Sequence, residues 1–272
     1  MPSSEAAKPK GGEPRITGGT SVPALRRAVA VMDCISRASG EVTAVALARE
    51  LGIPKSTLHG LLAAMEELEL IYRDAHGAIQ TGPRPLAWSR DFIARSDLAG
   101  AFNRYFASRV ENAQRLAGYT ITMTVRDGRD VVYIACSRAS QPLGVEFQVG
   151  MRLPAPFTAT GKALLGMLSD EELHALFEPE FPPPLTRFSV RGISALRDSM
   201  QGQDERGYSI DDGETREGMI CLGSTVHDHS GQVRAGLALS VTRTEAKSAG
   251  TETLGAALKA AADDISVLLG AP

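Results

Sequence analysis

The sequence predicts an α+β protein in two unlike parts: a small helical domain that ends in a two-stranded hairpin, then a larger domain with an antiparallel sheet flanked by helices. Three observations predict this. Between residues 22 and 82, apolar residues recur at helical spacing and then give way to a hairpin pattern. After Gly118 the pattern changes to β-rich runs such as ITMTV and VVYIACS. No GxGxxG follows a predicted strand, which disfavours a dinucleotide-binding βαβ fold.

Two short helices separated by a tight turn are predicted within residues 42–68. Apolar residues recur at helical spacing from Ala44 to Leu51, behind Thr43, whose hydroxyl can cap the first turn. Gly52 and Pro54 are typical of a helix end and of the next helix start. The apolar stripe of the second helix is formed by Leu58, Leu61, Leu62, Met65 and Leu68.

The opposite face of the second helix is small, polar and weakly basic, so it can enter the roughly 12 Å wide major groove of DNA. A hairpin follows directly, from Leu70 to Arg73 and from Ala78 to Thr81 around a turn at residues 74–77. Helix-turn-helix plus hairpin predicts a winged helix-turn-helix domain. The alternative is a helical hairpin whose polar face meets only solvent. The candidate DNA contacts are Arg26, Arg27, Thr43, Lys55, Ser56, Thr57, His59 and Arg73.

Charge is distributed unevenly between the two parts of the chain. The formal net charge is −3, yet residues 15–60 carry six Lys and Arg against three Asp and Glu, while residues 99–272 carry 17 against 21. Any positively charged surface that could bind DNA phosphates is therefore confined to the first domain, and its charge is weak. We expect a homodimer or a dimer of dimers that binds a pseudo-palindrome of double-stranded DNA.

Composition is that of a globular protein, with 43% hydrophobic and 22% charged residues. Three cysteines without CxxC spacing disfavour a disulfide framework and a cysteine-rich zinc site. No run of about 18 apolar residues and no signal peptide is visible, so we expect a cytoplasmic protein with no membrane partner.

The predicted domain limits are 1–20 for a flexible tail, 21–82 for the winged helix-turn-helix domain, 83–97 for a linker helix and 98–272 for the second domain. In the second domain we expect long helices at Leu98–Ala117 and Ser248–Leu269. Strands are expected near Leu143–Val149, Tyr208–Asp211, Met219–Val226 and Val233–Val241.

Motifs in both domains resemble one known family. The pattern LRRAVAVMDCIS followed by TAVALARELGIPKSTLHGLLAAMEELELIYRD, together with the stretch from Tyr208 to Gly223, resembles the isocitrate lyase regulator (IclR) family of bacterial transcription factors. The resemblance implies a ligand-responsive regulator, above all a repressor of a catabolic operon, with a GAF- or profilin-like effector-binding domain. The chain departs from the family at Gly60, where a long basic side chain is usual, and at Thr242 and Arg243, which replace a serine and a glycine.

A loop that enters a helix within residues 149–165 has small residues at its mouth, where a carboxylate can approach backbone N–H groups. The alternative is that Thr160 is only the helix N-cap. The resemblance implies effector contacts at Ala159, Thr160, Gly161, Asp211, Cys221 and Ser240. This set suits a small carboxylate, hydroxy-acid or oxo-acid, provided that Asp211 accepts from a hydroxyl or is itself protonated.

Two alternative functions use some of the same residues. An enzyme or a thiol sensor would use Cys221 with Asp211 and His227 or His229, and the two histidines could instead bind a metal. No GxSxG elbow or comparable cysteine signature is present, and HxH in a glycine-containing turn is usually a solvated hairpin tip. We therefore expect no catalytic residue, no cofactor and no metal, and Cys221 as a simple buried hydrophobe stays an alternative.

Overall fold

The computed structural model describes residues 22–38, 40–138, 146–178 and 180–271, so the predicted tail at residues 1–20 lies outside it. The chain divides into two compact units, and the boundary along the chain lies between Arg95 and Ser96. The predicted fold class, a helix-turn-helix domain followed by an α+β domain with an antiparallel sheet, is confirmed. The predicted domain limits stay predictions. None of the described helices is long and apolar enough to cross a membrane.

Within residues 22–38 and 40–95, the first unit consists of three helices, a hairpin and one further helix. Its elements are α1 (Pro23–Arg37), α2 (Ala44–Leu51), α3 (Lys55–Glu67), β1 (Ile71–Arg73), β2 (Ile79–Thr81) and α4 (Arg84–Arg95). The two strands pair antiparallel, with Ile71 opposite Thr81, and form the wing.

Local signals set the limits of α2, and apolar packing holds α3 in place. The Thr43 hydroxyl accepts a hydrogen bond from the Ala46 N–H at 3.2 Å, which satisfies a first-turn donor. Gly52 ends α2 in the left-handed conformation, with φ of 62°. The buried core of this unit is formed by Val31, Cys34, Ile35, Leu47, Ile53, Leu58, Leu62, Met65, Ile71 and Ile79.

Within its described residues, the second unit is a six-stranded sheet with helices on both faces. Its strands are β3 (Thr120–Asp127), β4 (Asp130–Ser137), β5 (Arg152–Pro154), β6 (Ser209–Asp212), β7 (Met219–His227) and β8 (Val233–Thr242). Its helices are α5 (Asp97–Phe106), α6 (Glu111–Arg115), α7 (Ala159–Leu165), α8 (Asp170–Phe177), α9 (Ile193–Met200), α10 (Gln203–Arg206), α11 (Arg243–Ala249) and α12 (Thr251–Leu268).

The sheet order is β5-β4-β3-β8-β7-β6, and every neighbouring pair is antiparallel. The helix α12 packs against β7 and β8, and α7 packs against the same strands and β6. Because side chains alternate along a strand, Leu237 and Leu239 of β8 belong to the core shared with α12, whereas Ala238 and Ser240 face the other way.

Two predicted helices are wrong in extent. The expected helix Leu98–Ala117 is two helices, because the Ser108 hydroxyl donates to the Tyr105 carbonyl at 2.6 Å and accepts from the Val110 N–H at 3.3 Å. Such local bonds compete with the helical ladder. The expected helix Ser248–Leu269 begins only at Thr251, because Gly250, with φ of 82°, separates α11 from α12.

The strand expected near Leu143–Val149 falls partly outside the described residues, and its described part, residues 146–149, is not a strand. The edge of the sheet is instead Arg152–Pro154, paired with residues 130–132 of β4. The other three expected strands are confirmed as β6, β7 and β8, with limits that differ by one residue at most.

Candidate functional site

The helix α3 presents the exposed polar face that the sequence predicts. Leu58, Leu62 and Met65 are buried on one side, and the opposite side exposes Lys55, Ser56, Thr57, His59 and Gly60 in its first two turns. First-turn side chains of a recognition helix are the ones that approach base edges.

The remaining candidate DNA contacts lie on other elements of the same unit. Arg26 and Arg27 are exposed on α1 and line a shallow depression of about 340 Å³ together with Leu51, Gly52 and Ile53 of the helix-turn-helix. The hydroxyl of Thr43 is engaged as the cap of α2. The Arg73 guanidinium on the wing forms an ion pair with Glu66 at 2.9 Å, so a phosphate would have to compete with this carboxylate. The assignment of all eight residues to DNA stays a prediction.

Most of the residues predicted to contact the effector line one small cavity in the second unit. Strand register brings three of them side by side, because Asp211 of β6 pairs with Cys221 of β7, which pairs with Ser240 of β8. The cavity volume is about 10 Å³, which is room for about one water molecule. Its lining comprises Thr122, Tyr133, Phe147, Thr158, Ala159, Thr160, Asp211, Thr215, Cys221, Ala238 and Ser240.

Two glycines let α7 lie directly on the sheet beside this cavity. A Cβ on Gly223 of β7 would clash with the backbone of Ala159 and Thr160. A Cβ on Gly236 of β8 would lie 2.7 Å from the Thr160 Cβ. The absence of these two side chains therefore sets how closely the start of α7 approaches Cys221 and Ser240.

The start of α7 is capped by a different residue from the one considered in the sequence. Thr158, not Thr160, is the N-cap, and its hydroxyl accepts the Gly161 N–H at 3.0 Å. The interpretation of Thr160 as the cap is therefore wrong. Gly161 does not line the cavity, and a Cβ there would clash with Ala155. The Gly161 N–H already donates to the Thr158 hydroxyl. Fewer free N–H groups therefore remain for an anion at the start of α7 than the sequence predicts.

Asp211 is a buried carboxyl whose hydrogen bonds offset only part of the cost of burying its charge. Its Oδ1 accepts the N–H of Glu214 at 2.6 Å and that of Thr215 at 3.2 Å. Burial raises the pKa of Asp211 to about 7, with the nearby Glu214 adding to the rise and Lys162 opposing it. Near neutral pH the carboxyl is therefore protonated in a large fraction of molecules and can donate a hydrogen bond to an anion.

Cys221 is a buried thiol whose Sγ lies 3.2 Å from the Ser240 hydroxyl oxygen. Burial, together with the Asp211 charge, holds the pKa of Cys221 well above its ordinary value, which disfavours the reactive thiolate. His227, six residues further along β7, is roughly 20 Å away along the strand, and its ring contacts the Thr225 hydroxyl and the Gly231 carbonyl. The His227 ring is therefore not assembled with Cys221 and Asp211. Within the described ranges, no cluster of three His, Cys, Asp or Glu side chains could hold a metal ion.

A buried ion pair connects α7 to the loop after β6. Lys162 of α7, 1% exposed, donates to a carboxylate oxygen of Glu214 and to the Ile210 carbonyl at 3.1 Å. The second Glu214 oxygen accepts the Val190 N–H at 3.3 Å, and the Glu214 carbonyl accepts the Ser189 hydroxyl at 2.8 Å. The loop that carries the Asp211 partners is thereby fixed.

Sequence reasoning missed about half of the cavity lining. Tyr133 and Phe147 come from β4 and the segment before β5, which no motif connects to Asp211. One signal was available for Thr122: threonines alternate at positions 120, 122 and 124 of β3, which marks a polar sheet face. The residues that the sequence did not predict are Thr122, Tyr133, Phe147, Thr158, Thr215 and Ala238.

Comparisons with known proteins identify both units. The IclR helix-turn-helix domain model matches residues 24–75, and the bacterial transcriptional regulator IclR C-terminal domain model matches residues 100–267. The chain is 24% identical over 273 residues to the acetate operon repressor of Salmonella typhimurium, an alignment that covers 99% of this chain and 97% of that protein. It is 26% identical over 220 residues to the transcriptional regulator XynR of Escherichia coli, covering 80% and 86%.

Solved structures agree with this assignment. The Agrobacterium tumefaciens repressor BlcR shares 46% identity with a TM-score of 0.60, covering 93% of this chain and 99% of that one. An IclR homologue from Microbacterium hydrocarbonoxydans, solved with 4-hydroxybenzoate, shares the fold with a TM-score of 0.73 at 20% identity, covering 90% and 98%. Because the two family models match the two units in order, the chain belongs to the IclR family of bacterial transcriptional regulators.

Proposed function

We propose that this regulator represses transcription by binding operator DNA through α3, and that a small oxygen-rich carboxylic acid bound in the cavity of the second unit controls it. The observation that carries the proposal is the convergence of Asp211, Cys221 and Ser240 from three neighbouring strands on one buried cavity. Repression is supported by relatives that are named repressors, of the acetate operon and BlcR.

Carboxylate chemistry is favoured by the donors around the cavity. A protonated Asp211 and the Ser240 hydroxyl can each donate to a carboxylate oxygen, and the low dielectric of a buried site strengthens such bonds. The cavity volume of about 10 Å³ means that side chains must move when the acid enters, so a small effector is favoured. The Microbacterium homologue also contains a carboxylate, 4-hydroxybenzoate.

Pairing of subunits is supported by the apolar surface of α4. Its Leu86, Trp88 and Phe92 are 74%, 57% and 62% exposed, and the helix contributes no buried residue. Trp88 and Phe92 lie one helical turn apart on the same face, which suits association with a second copy. A homodimer, or a dimer of dimers, would place two α3 helices on half-sites about 34 Å apart in a pseudo-palindrome.

Gel shifts with DNA flanking the gene of this protein test the DNA-binding part. Lys55→Ala and His59→Ala are expected to weaken binding by about 1–3 kcal/mol each where a base is read. Arg49→Ala, an exposed change on α2, serves as the control. Unchanged shifts for both α3 variants would contradict the assigned recognition helix.

The same assay tests the cavity, using an acid identified by thermal-shift screening. Asp211→Ala and Ser240→Ala each remove a group that can donate a hydrogen bond to the acid. We expect the double variant to bind DNA like the wild type and to lose its response to the acid. A double variant that responds with unchanged potency would show that the effector binds elsewhere.

A further inference from the structure

Tyr133 lines the cavity, and the proposed function assigns no role to its hydroxyl. The residue is only 4% exposed. Across the described ranges, its hydroxyl has no hydrogen-bond partner. The oxygen is not among the fully enclosed side-chain atoms that lack a partner in the described ranges, so the hydroxyl keeps a hydrogen-bonding position open for a molecule that enters the cavity. Such a group indicates a site that a ligand completes.

The Tyr133 side chain is held in place before any ligand arrives. Its ring stacks on Phe147 with a centroid distance of 5.3 Å and an interplanar angle of 21°. Its backbone N–H donates to the Met151 carbonyl at 3.0 Å, and its carbonyl accepts the Gly150 N–H at 2.7 Å. Burial, with Cys221 and Asp211 nearby, keeps the pKa of Tyr133 well above its ordinary value. The hydroxyl is thus a protonated donor at neutral pH.

The sheet order brings this donor to the cavity from the other side of β3 than the predicted carboxylate contacts. Asp211, Cys221 and Ser240 come from β6, β7 and β8, whereas Tyr133 comes from β4, on the far side of β3. Hydrogen-bonding groups therefore reach the cavity from two directions. A ligand that satisfies both sets needs an oxygen at each end.

We propose that Tyr133 is a specificity-determining residue of the effector cavity, whose hydroxyl donates a hydrogen bond to a second oxygen, hydroxyl or carbonyl, of a short acid held by its carboxylate at Asp211 and Ser240. This inference rests on the proposed carboxylate effector. An acid without the second oxygen leaves the Tyr133 hydroxyl unpartnered, and a site built for a hydrogen bond discriminates against such an analogue.

The test compares butyrate with its 2-, 3- and 4-hydroxy derivatives, which differ only in the presence and place of the second oxygen. Their affinities are measured by calorimetry on the full-length wild type, on Tyr133→Phe and on Tyr119→Phe, a tyrosine of the same unit outside the cavity. We expect the wild type to prefer at least one hydroxy acid by about 3- to 10-fold over butyrate. Tyr133→Phe should lose this preference by weakening the hydroxy acid alone, and Tyr119→Phe should keep it.

Other outcomes separate this inference from the proposed function. Equal weakening of butyrate and its derivatives in Tyr133→Phe, or a hydroxy-acid preference that survives the substitution, would overturn the role of Tyr133. Butyrate binding without any preference in the wild type would overturn it too, while leaving the carboxylate effector intact. Failure of all four acids to bind would count against both. The melting temperature of the unliganded Tyr133→Phe protein should not fall, because the hydroxyl has no partner to lose.

Discussion

Gly60 is the residue at which α3 departs from the usual family pattern. It is exposed, and no described atom lies within 4 Å of the place where its Cβ would be. Because a glycine inside a helix costs about 1 kcal/mol relative to alanine, Gly60→Arg should raise the free energy of unfolding in urea by somewhat less than about 1 kcal/mol. It should also add a phosphate contact and steepen the salt dependence of operator binding by about one charge.

Gly60→Ala is the matched control, because it adds helix propensity without charge. We expect it to gain stability and to keep the wild-type salt dependence. An unchanged salt dependence in Gly60→Arg would indicate that this face of α3 points away from DNA.

If the proposed acid binds beside Asp211, its affinity should depend on pH. Burial raises the pKa of Asp211 to about 7 from an ordinary value of 3.8, and an anionic ligand prefers the neutral carboxyl. Calorimetry should therefore show tighter binding as the pH falls through about 7, and Asp211→Asn should flatten this dependence. The unliganded protein should lose stability as the pH rises from about 4 to 7, because the native state retains a proton that the unfolded chain releases. Affinity that rises with pH would contradict this assignment.

At the residue scale, the sequence was most informative where the signal is local. The Thr43 cap and the Gly52 helix end depend on neighbouring residues only, and both are confirmed. Asp211, Cys221 and Ser240 were predicted through the family resemblance, and strand register brings them together. Tyr133 and Phe147 were missed because only the folded sheet places them beside those three residues.

At the scale of elements, the buried ion pair between Lys162 and Glu214 connects α7 to the loop after β6. Lys162→Met leaves a buried carboxylate without its partner, which should cost about 3–5 kcal/mol in urea unfolding. Adding Glu214→Gln should recover much of this loss, since no unpaired charge remains. Additive costs in this double-mutant cycle would show that the two side chains act independently.

An exposed ion pair provides the comparison. Arg243 contacts Asp212 at 2.5 Å, with the two side chains 53% and 54% exposed. Breaking it with Arg243→Met should change stability by at most about 1 kcal/mol, because solvent screens such pairs.

Element limits were harder to predict than element types. The strands β6, β7 and β8 were predicted within one residue of their limits, because each follows closely on a turn glycine, Gly207, Gly218 or Gly231. The helix expected at Leu98–Ala117 was predicted too long, since apolar spacing does not reveal that the Ser108 hydroxyl takes over backbone bonds. For the same reason, the helix expected at Ser248–Leu269 ran across Gly250, which separates α11 from α12 in the structure.

For the whole molecule, the proposed subunit pairing can be tested by tryptophan fluorescence. Trp88 is the only tryptophan, and it is 57% exposed on α4 in the single chain. If α4 pairs with a second copy, dilution should shift the tryptophan emission to longer wavelength as the subunits separate. Phe92→Arg should show the shifted emission at all concentrations and weaken operator binding. A dimer in sedimentation whose Trp88 emission does not change on dilution to monomers would place the interface elsewhere.

The pairing of β3 with β8 also bears on the order in which a growing chain acquires its properties. Thr120 lies opposite Ser240, so strands from the two ends of the second unit are neighbours in the middle of its sheet. The first unit, by contrast, closes its core within residues 31–79. A ribosome releases the N-terminal domain first, and contacts between distant residues form last. A chain cut short before β8 would therefore keep the helix-turn-helix fold but lack the cavity of the second unit, so we expect its DNA binding not to respond to the proposed acid.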